Sequence, residues 1–83
     1  MKIVVKNRCE SGDMISLPAK DKAAAERACT GLTKDAHVQG ATVVAVIGGK
    51  AIINHVARFA PGAYTVPAEV GENLIKHKLA VKA

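Results

Sequence analysis

Two runs of β-branched residues, TVVAVI and AIINHV, stand on either side of GGK at positions 48–50. β-branched side chains fit a pleated strand better than a helix, and two adjacent glycines supply the positive φ angles of a tight turn. This is the strongest constraint in the chain: it predicts a β-hairpin at its centre, with at least one of Gly48 and Gly49 at positive φ. Val43 to Ile47 is almost continuously apolar, which predicts a strand covered on both faces.

The flanking segments add short strands and two helices. KIVVK (Lys2 to Lys6) reads as a strand, NRCESGD as a polar loop, and MISL as a second short strand. Pro18 is read as opening a helix over PAKDKAAAERACTGL, because proline suits the first helical turn. Ala24, Ala25, Ala28, Cys29 and Leu32 share one side of that helix, with Lys20, Lys22, Glu26 and Arg27 mostly elsewhere. Gly31 is read as its stop. After the hairpin, FAPGAYTV reads as a turn and strand. PAEVGENLIKHK then reads as a second helix, with Pro67 at its start. Glu69 and Glu72 fall early in it and Lys76, His77 and Lys78 late, both complementing the helix dipole. Val70, Leu74 and Ile75 form its buried side. LAV closes the pattern as a short extended tail. ISLPAK and YTVPAE look alike, but strand-to-helix joints converge on proline for physical reasons.

These elements predict an α+β fold: a small antiparallel sheet with a central hairpin and two short helices. The 83 residues make a single domain, 1–83, with residues 59–83 as a C-terminal turn–strand–helix module. Hydrophobic residues make up 49% of the chain but aromatics only 2%, so the core is built from Ala, Val, Ile and Leu. Such a core buries little area per residue and favours further burial against a neighbouring subunit or assembly.

Composition and spacing weigh against catalysis and metal. Cys9, Cys29, His37, His55 and His77 are scattered, without the close spacing of metal ligands. IGGKAI has a superficial phosphate-loop look, but Ala51 stands where the hydroxyl would be. There is no nucleophile elbow. No enzyme activity, cofactor or metal is therefore expected. His55 is read as a surface or hydrogen-bonded histidine and His77 as a helix-end residue. The two cysteines are read as reduced, with a Cys9–Cys29 bridge as the minor alternative. The apolar zone from Ala41 to Ala57 is broken by Gly48, Gly49 and Lys50, which argues against a membrane helix.

The net charge is +5, which steers acidic partners toward the chain. Nucleic-acid binding is thus the rival function. The cations are scattered singly, however, and Phe59 and Tyr64 are the whole supply of rings on which bases could stack.

Those two rings flank Pro61-Gly62 in RFAPGAYTVPAEVGENLIKHKLAV. This stretch resembles a module of small bacteriophage structural proteins: a Gly-containing turn, a short strand, a proline at the helix start, then Leu-Ile-x-x-Gly-x-Ala. Gly62 is the turn, Tyr64–Val66 the strand, Pro67 the helix start, and Leu74, Ile75 and Ala80 match the remainder. Lys78 stands where the module has glycine, and a non-glycine residue in the left-handed position costs about 1 kcal/mol. Either the helix runs on a little further or the match there is approximate. The resemblance implies a virion accessory protein, first of all a head-decoration (cement) protein, with the major capsid protein or another virion protein as partner. Self-association is a further expectation. Its place would be the virion, assembled in the host cytoplasm. A small basic nucleic-acid-binding or regulatory protein is the alternative. Arg58, Phe59 and Tyr64 are the candidate interface residues: rings on the two arms of the turn, and a cation for an acidic neighbour.

Overall fold

The computed structural model describes every residue, Met1–Ala83. In chain order the elements are β1 (Lys2–Val5), β2 (Cys9–Pro18), α1 (Lys22–Thr33), β3 (Val38–Ile47), β4 (Lys50–Phe59), β5 (Gly62–Thr65), α2 (Ala68–Lys76) and β6 (Ala80–Lys82). The strands form two three-stranded sheets, ordered β5-β1-β6 and β2-β4-β3. The expected α+β class is observed, with its two helices and its central hairpin; the strands divide between two small antiparallel sheets.

The chain divides into two compact units, Met1–Ser11 with Arg58–Ala83, and Gly12–Ala57. The C-terminal module 59–83 falls in the first unit, together with the first eleven residues. β2 and β4 contribute Cys9–Ser11 and Arg58–Phe59 to the first unit and the rest of their length to the second.

In the first unit β1 is the central strand, paired antiparallel with β5 (Ile3 opposite Tyr64) and with β6 (Val5 opposite Ala80). Ile3, Val5, Phe59, Val66, Val70, Leu74 and Ala80 are its buried apolar residues. α2 buries Val70, Gly71 and Leu74, the i, i+1, i+4 pattern of a one-sided helix. Gly71 is required by close approach: a Cβ there would collide with the Met1 Sδ and crowd a Val66 methyl. The helix ends in a Schellman arrangement, in which Leu79 N–H donates to the Leu74 carbonyl at 2.8 Å and Lys78 N–H to that of Ile75 at 3.0 Å. Lys78 takes φ 61°, so the helix does not run on; a lysine occupies the left-handed position.

In the second unit the β3–β4 hairpin turns at Gly48 and Gly49, with φ of 58° and 77°, and Ile47 pairs with Lys50. Positive φ at both central residues is the turn whose twist matches that of the strands. Register shifts at Val38/Gly40 and Val43/Ala45 bulge β3. The second bulge leaves Val44 54% exposed, and Ile47 at the hairpin end is 70% exposed. The apolar run Val43 to Ile47 is therefore not covered on both faces, as its composition predicts; an extra residue in one strand turns part of the run outward.

α1 starts later than Pro18. That proline is the last residue of β2, and the helix is capped by Asp21, whose carboxylate accepts from Ala24 N–H at 2.8 Å. Gly31 lies inside the helix, which continues to Thr33. The apolar side read from the periodicity is the side that is buried or half-buried, with Ala25 and Cys29 deepest. The polar stretch read as a loop is largely strand: Cys9–Asp13 begins β2, because β4 supplies the hydrogen-bond ladder that local composition disfavours.

Candidate interaction site

β4 alternates regularly: Ala51, Ile53, His55, Ala57 and Phe59 are buried, while Asn54, Val56 and Arg58 between them are exposed. This parity sends Arg58 and Phe59, adjacent in sequence, to opposite faces. Phe59 is wholly buried. Arg58 Nε lies 2.9 Å from Glu10 Oε1, with both side chains about two-thirds exposed (67% and 68%). An ion pair so open to solvent contributes about 0–1 kcal/mol; it orients the guanidinium more than it stabilises the fold.

The chain then turns through Ala60, Pro61 and Gly62 into β5. Gly62 has φ 153°, near the edge of the positive region. Tyr64, half-buried on β5, returns its ring to the Phe59 edge, with centroids 5.0 Å apart and planes at 79°. Its hydroxyl donates to the Ala60 carbonyl at 2.7 Å. The turn is thus closed by an edge-to-face ring contact and a hydrogen bond. Of the three residues singled out from sequence, Phe59 is core and Tyr64 straddles core and surface. Arg58 is surface, held by an acidic residue of its own chain.

Arg8, Glu10, Arg58, Phe59 and Ala60 line a cleft of about 250 Å³. Arg8 and Glu10 were not legible as site residues: they lie in the stretch read as loop, and only the β2–β4 pairing brings Glu10 to Arg58. The cleft carries two guanidiniums against one carboxylate, an excess of one positive charge suited to an acidic side chain of a partner.

His55 corrects a sequence expectation. It is neither exposed nor hydrogen-bonded: its exposure is 0%, and neither ring nitrogen has a hydrogen-bond partner. The signal was available, since His55 has the same parity in its strand as Ile53 and Ala57. Burial lowers its pKa from 6.5 by disfavouring the charged ring; His37 pushes the same way, and Asp13 opposes them.

Both cysteines are free thiols. Burial raises the pKa of each, with the Glu26 carboxylate adding to the effect at Cys29. No three His, Cys, Asp or Glu side chains gather in a group that could hold a metal ion. No helix is long and apolar enough to cross a membrane. Comparison with protein-family models, curated proteins and solved structures yields no match to this chain.

Proposed function

We propose that this chain is a bacteriophage virion accessory protein, in first place a head-decoration protein that docks on the major capsid protein or another virion protein and stabilises the head. The observation that carries this reading is the Pro61–Gly62 turn with its ring pair. Phe59 roots the turn in the core, and Tyr64 locks it through Ala60 while keeping part of its ring at the surface. A preorganised aromatic suits an interface anchor, since little side-chain freedom remains to be lost on docking, and Arg8 and Arg58 line a separate cleft with Phe59 and Ala60. The C-terminal module adds support. It consists of a turn, a short strand, a helix that begins after Pro67 and a left-handed Lys78, and the reading rests on the likeness of this element order to the phage module, with lysine in the place of glycine.

The nucleic-acid reading rests on the charge of +5. It differs in its salt signature: phosphate contacts weaken steeply as salt rises, in proportion to the number of counterions released.

The test is Tyr64→Ala and Arg58→Ala, each measured separately for folding and for binding to particles. The head-decoration reading expects binding to fall at least tenfold in one of them with folding retained. Unchanged binding in both folded variants would remove this anchor as the docking element.

A further inference from the structure

We propose that the open edge of β6, with the cleft beside it, is a docking site for an extended acidic segment of a partner protein, which adds to the β5-β1-β6 sheet as a fourth strand. The site does not include the Pro61–Gly62 turn and stands whether or not the head-decoration reading holds.

The backbone supplies the edge. β6 stands last in the order β5-β1-β6, so only one of its sides is paired. Ala83 N–H donates to the Lys2 carbonyl at 3.1 Å, which makes Lys2 and Ala83 a hydrogen-bonded pair of the antiparallel ladder. Such pairs alternate with unbonded ones. Ile3–Lys82 and Val5–Ala80 are therefore unbonded pairs, and Ala80 and Lys82 turn their N–H and C=O groups away from β1. Donors and acceptors presented in alternation along an edge are the template for a further strand.

Charge selects the occupant. Lys6, Ile75, Lys78, Leu79 and Val81 are among the residues that line a cleft of about 360 Å³ beside this edge. It holds two ammonium groups and no carboxylate, and Leu79 and Val81 are 39% and 43% exposed. Lys82 on β6 and Lys76 at the end of α2 add charge of the same sign nearby in the chain. The unit Met1–Ser11 with Arg58–Ala83 carries seven of the twelve Lys and Arg but three of the seven Asp and Glu, so four of the five net positive charges are here. Of its three carboxylates, Glu10 is held by Arg58, while Glu69 and Glu72 lie on α2, Glu72 one turn before Ile75; none lines the cleft. The other edge strand, β5, has no charged residue, and the cleft beside it has Lys2 alone.

A second copy pairing through β6 would bring its own lysines to the edge and be repelled, which is the usual protective role of edge lysines. An acidic strand turns that repulsion into attraction. A nucleic acid would meet the lysines but leave the backbone edge unused, and the cleft has no ring on which a base could stack. Side chains of an added strand alternate between its two faces, so the fitting segment alternates Glu or Asp with an apolar residue: carboxylates for Lys6 and Lys78, apolar groups for Leu79 and Val81. β6 has three residues, so the contact is short and of the transient class, with Kd between about 10 μM and 1 mM. Salt weakens it by screening the ion pairs.

The experiment is an NMR titration of the isotope-labelled chain with the capped hexapeptide Glu-Val-Glu-Val-Glu-Val, up to about 2 mM, at low and at physiological salt. Three further probes are titrated beside it: the charge-reversed Lys-Val-Lys-Val-Lys-Val, the acidic peptide N-methylated throughout so that it cannot donate to an edge, and an oligothymidylate. The expected result is amide shifts centred on Ala80 and Lys82 and reaching Lys6 and Leu79, weaker at higher salt, with at least tenfold weaker binding of the reversed and the N-methylated peptides. Lys6→Glu combined with Lys78→Gly removes both cations of the cleft while glycine keeps the left-handed cap; with the fold verified by its spectrum, this variant should bind the acidic peptide at least tenfold more weakly. Absence of shifts, shifts centred elsewhere, or equal binding by the reversed peptide or by the folded variant overturns the proposal. Equal binding of the N-methylated peptide overturns strand addition, and tighter binding of the oligothymidylate at the same residues overturns the choice of a protein partner.

Discussion

Phe59 and Tyr64, on either side of Pro61-Gly62, meet edge to face at 5.0 Å, and the Tyr64 hydroxyl returns to the Ala60 carbonyl between them. The chain's only two aromatic rings are thus both committed to one turn. The two contacts separate by substitution. Tyr64→Phe keeps the ring and loses the hydrogen bond, at a cost of about 1 kcal/mol. Phe59→Ala removes the largest fully buried side chain and should cost about 3–5 kcal/mol, enough to unfold much of so small a chain. Urea denaturation reads both; equal costs would contradict a core Phe59 beside a surface Tyr64.

Lys78 holds φ 61° at the end of α2. Glycine adopts that conformation without the Cβ penalty, so Lys78→Gly should stabilise the chain by up to about 1 kcal/mol, whereas Lys78→Ala should give no gain. Thermal melts of the two variants check this, and a destabilised glycine variant would contradict the left-handed cap.

Gly49 has φ 77° and open space around the position of its missing Cβ. The cost of a side chain there is backbone strain alone. Gly49→Val should lose about 1 kcal/mol or more, and Gly48→Asn, at φ 58°, should be tolerated because asparagine enters the left-handed region readily. An unchanged melting temperature in Gly49→Val would argue against this turn.

His55 is neutral in the folded chain because burial, then His37, lowers its pKa below 6.5, against the pull of Asp13. The unfolded chain takes up the proton first as pH falls. Stability contributed by neutral His55 is therefore full above about pH 6.5 and declines as the pH drops from there toward the lowered folded-state value. Replacing a buried ring that lacks hydrogen bonds by a similar apolar side chain relieves this: His55→Leu should be neutral or stabilising at pH 7.5, and the difference in melting temperature between variant and wild type should widen in its favour toward pH 5.5. A constant difference across that range would place His55 in solvent.

Legibility in the sequence followed the strength of the local signal. The β3–β4 hairpin and α2 were legible because periodicity, glycine placement and charge order all agree there. The first half of β2 was not: Glu10, Ser11, Gly12 and Asp13 have low strand propensity, and they form strand because β4 lies beside them. The start of α1 was misplaced because Pro18 and Asp21 are both good boundary residues, and only the hydrogen bond to Ala24 decides between them. The ring pair was anticipated as two arms of one turn. Its ionic neighbour Glu10 was hidden by long-range strand pairing, which no local pattern encodes.

The head-decoration reading is tested most directly by where the chain resides in its native source. A cleared lysate is separated on a density gradient, with and without nuclease, and fractions are probed for the chain. The account predicts that the chain bands with the particles and stays there after nuclease treatment. A chain found at the top of the gradient, or released from heavy fractions by nuclease, would contradict it, and nuclease release would favour the nucleic-acid reading instead.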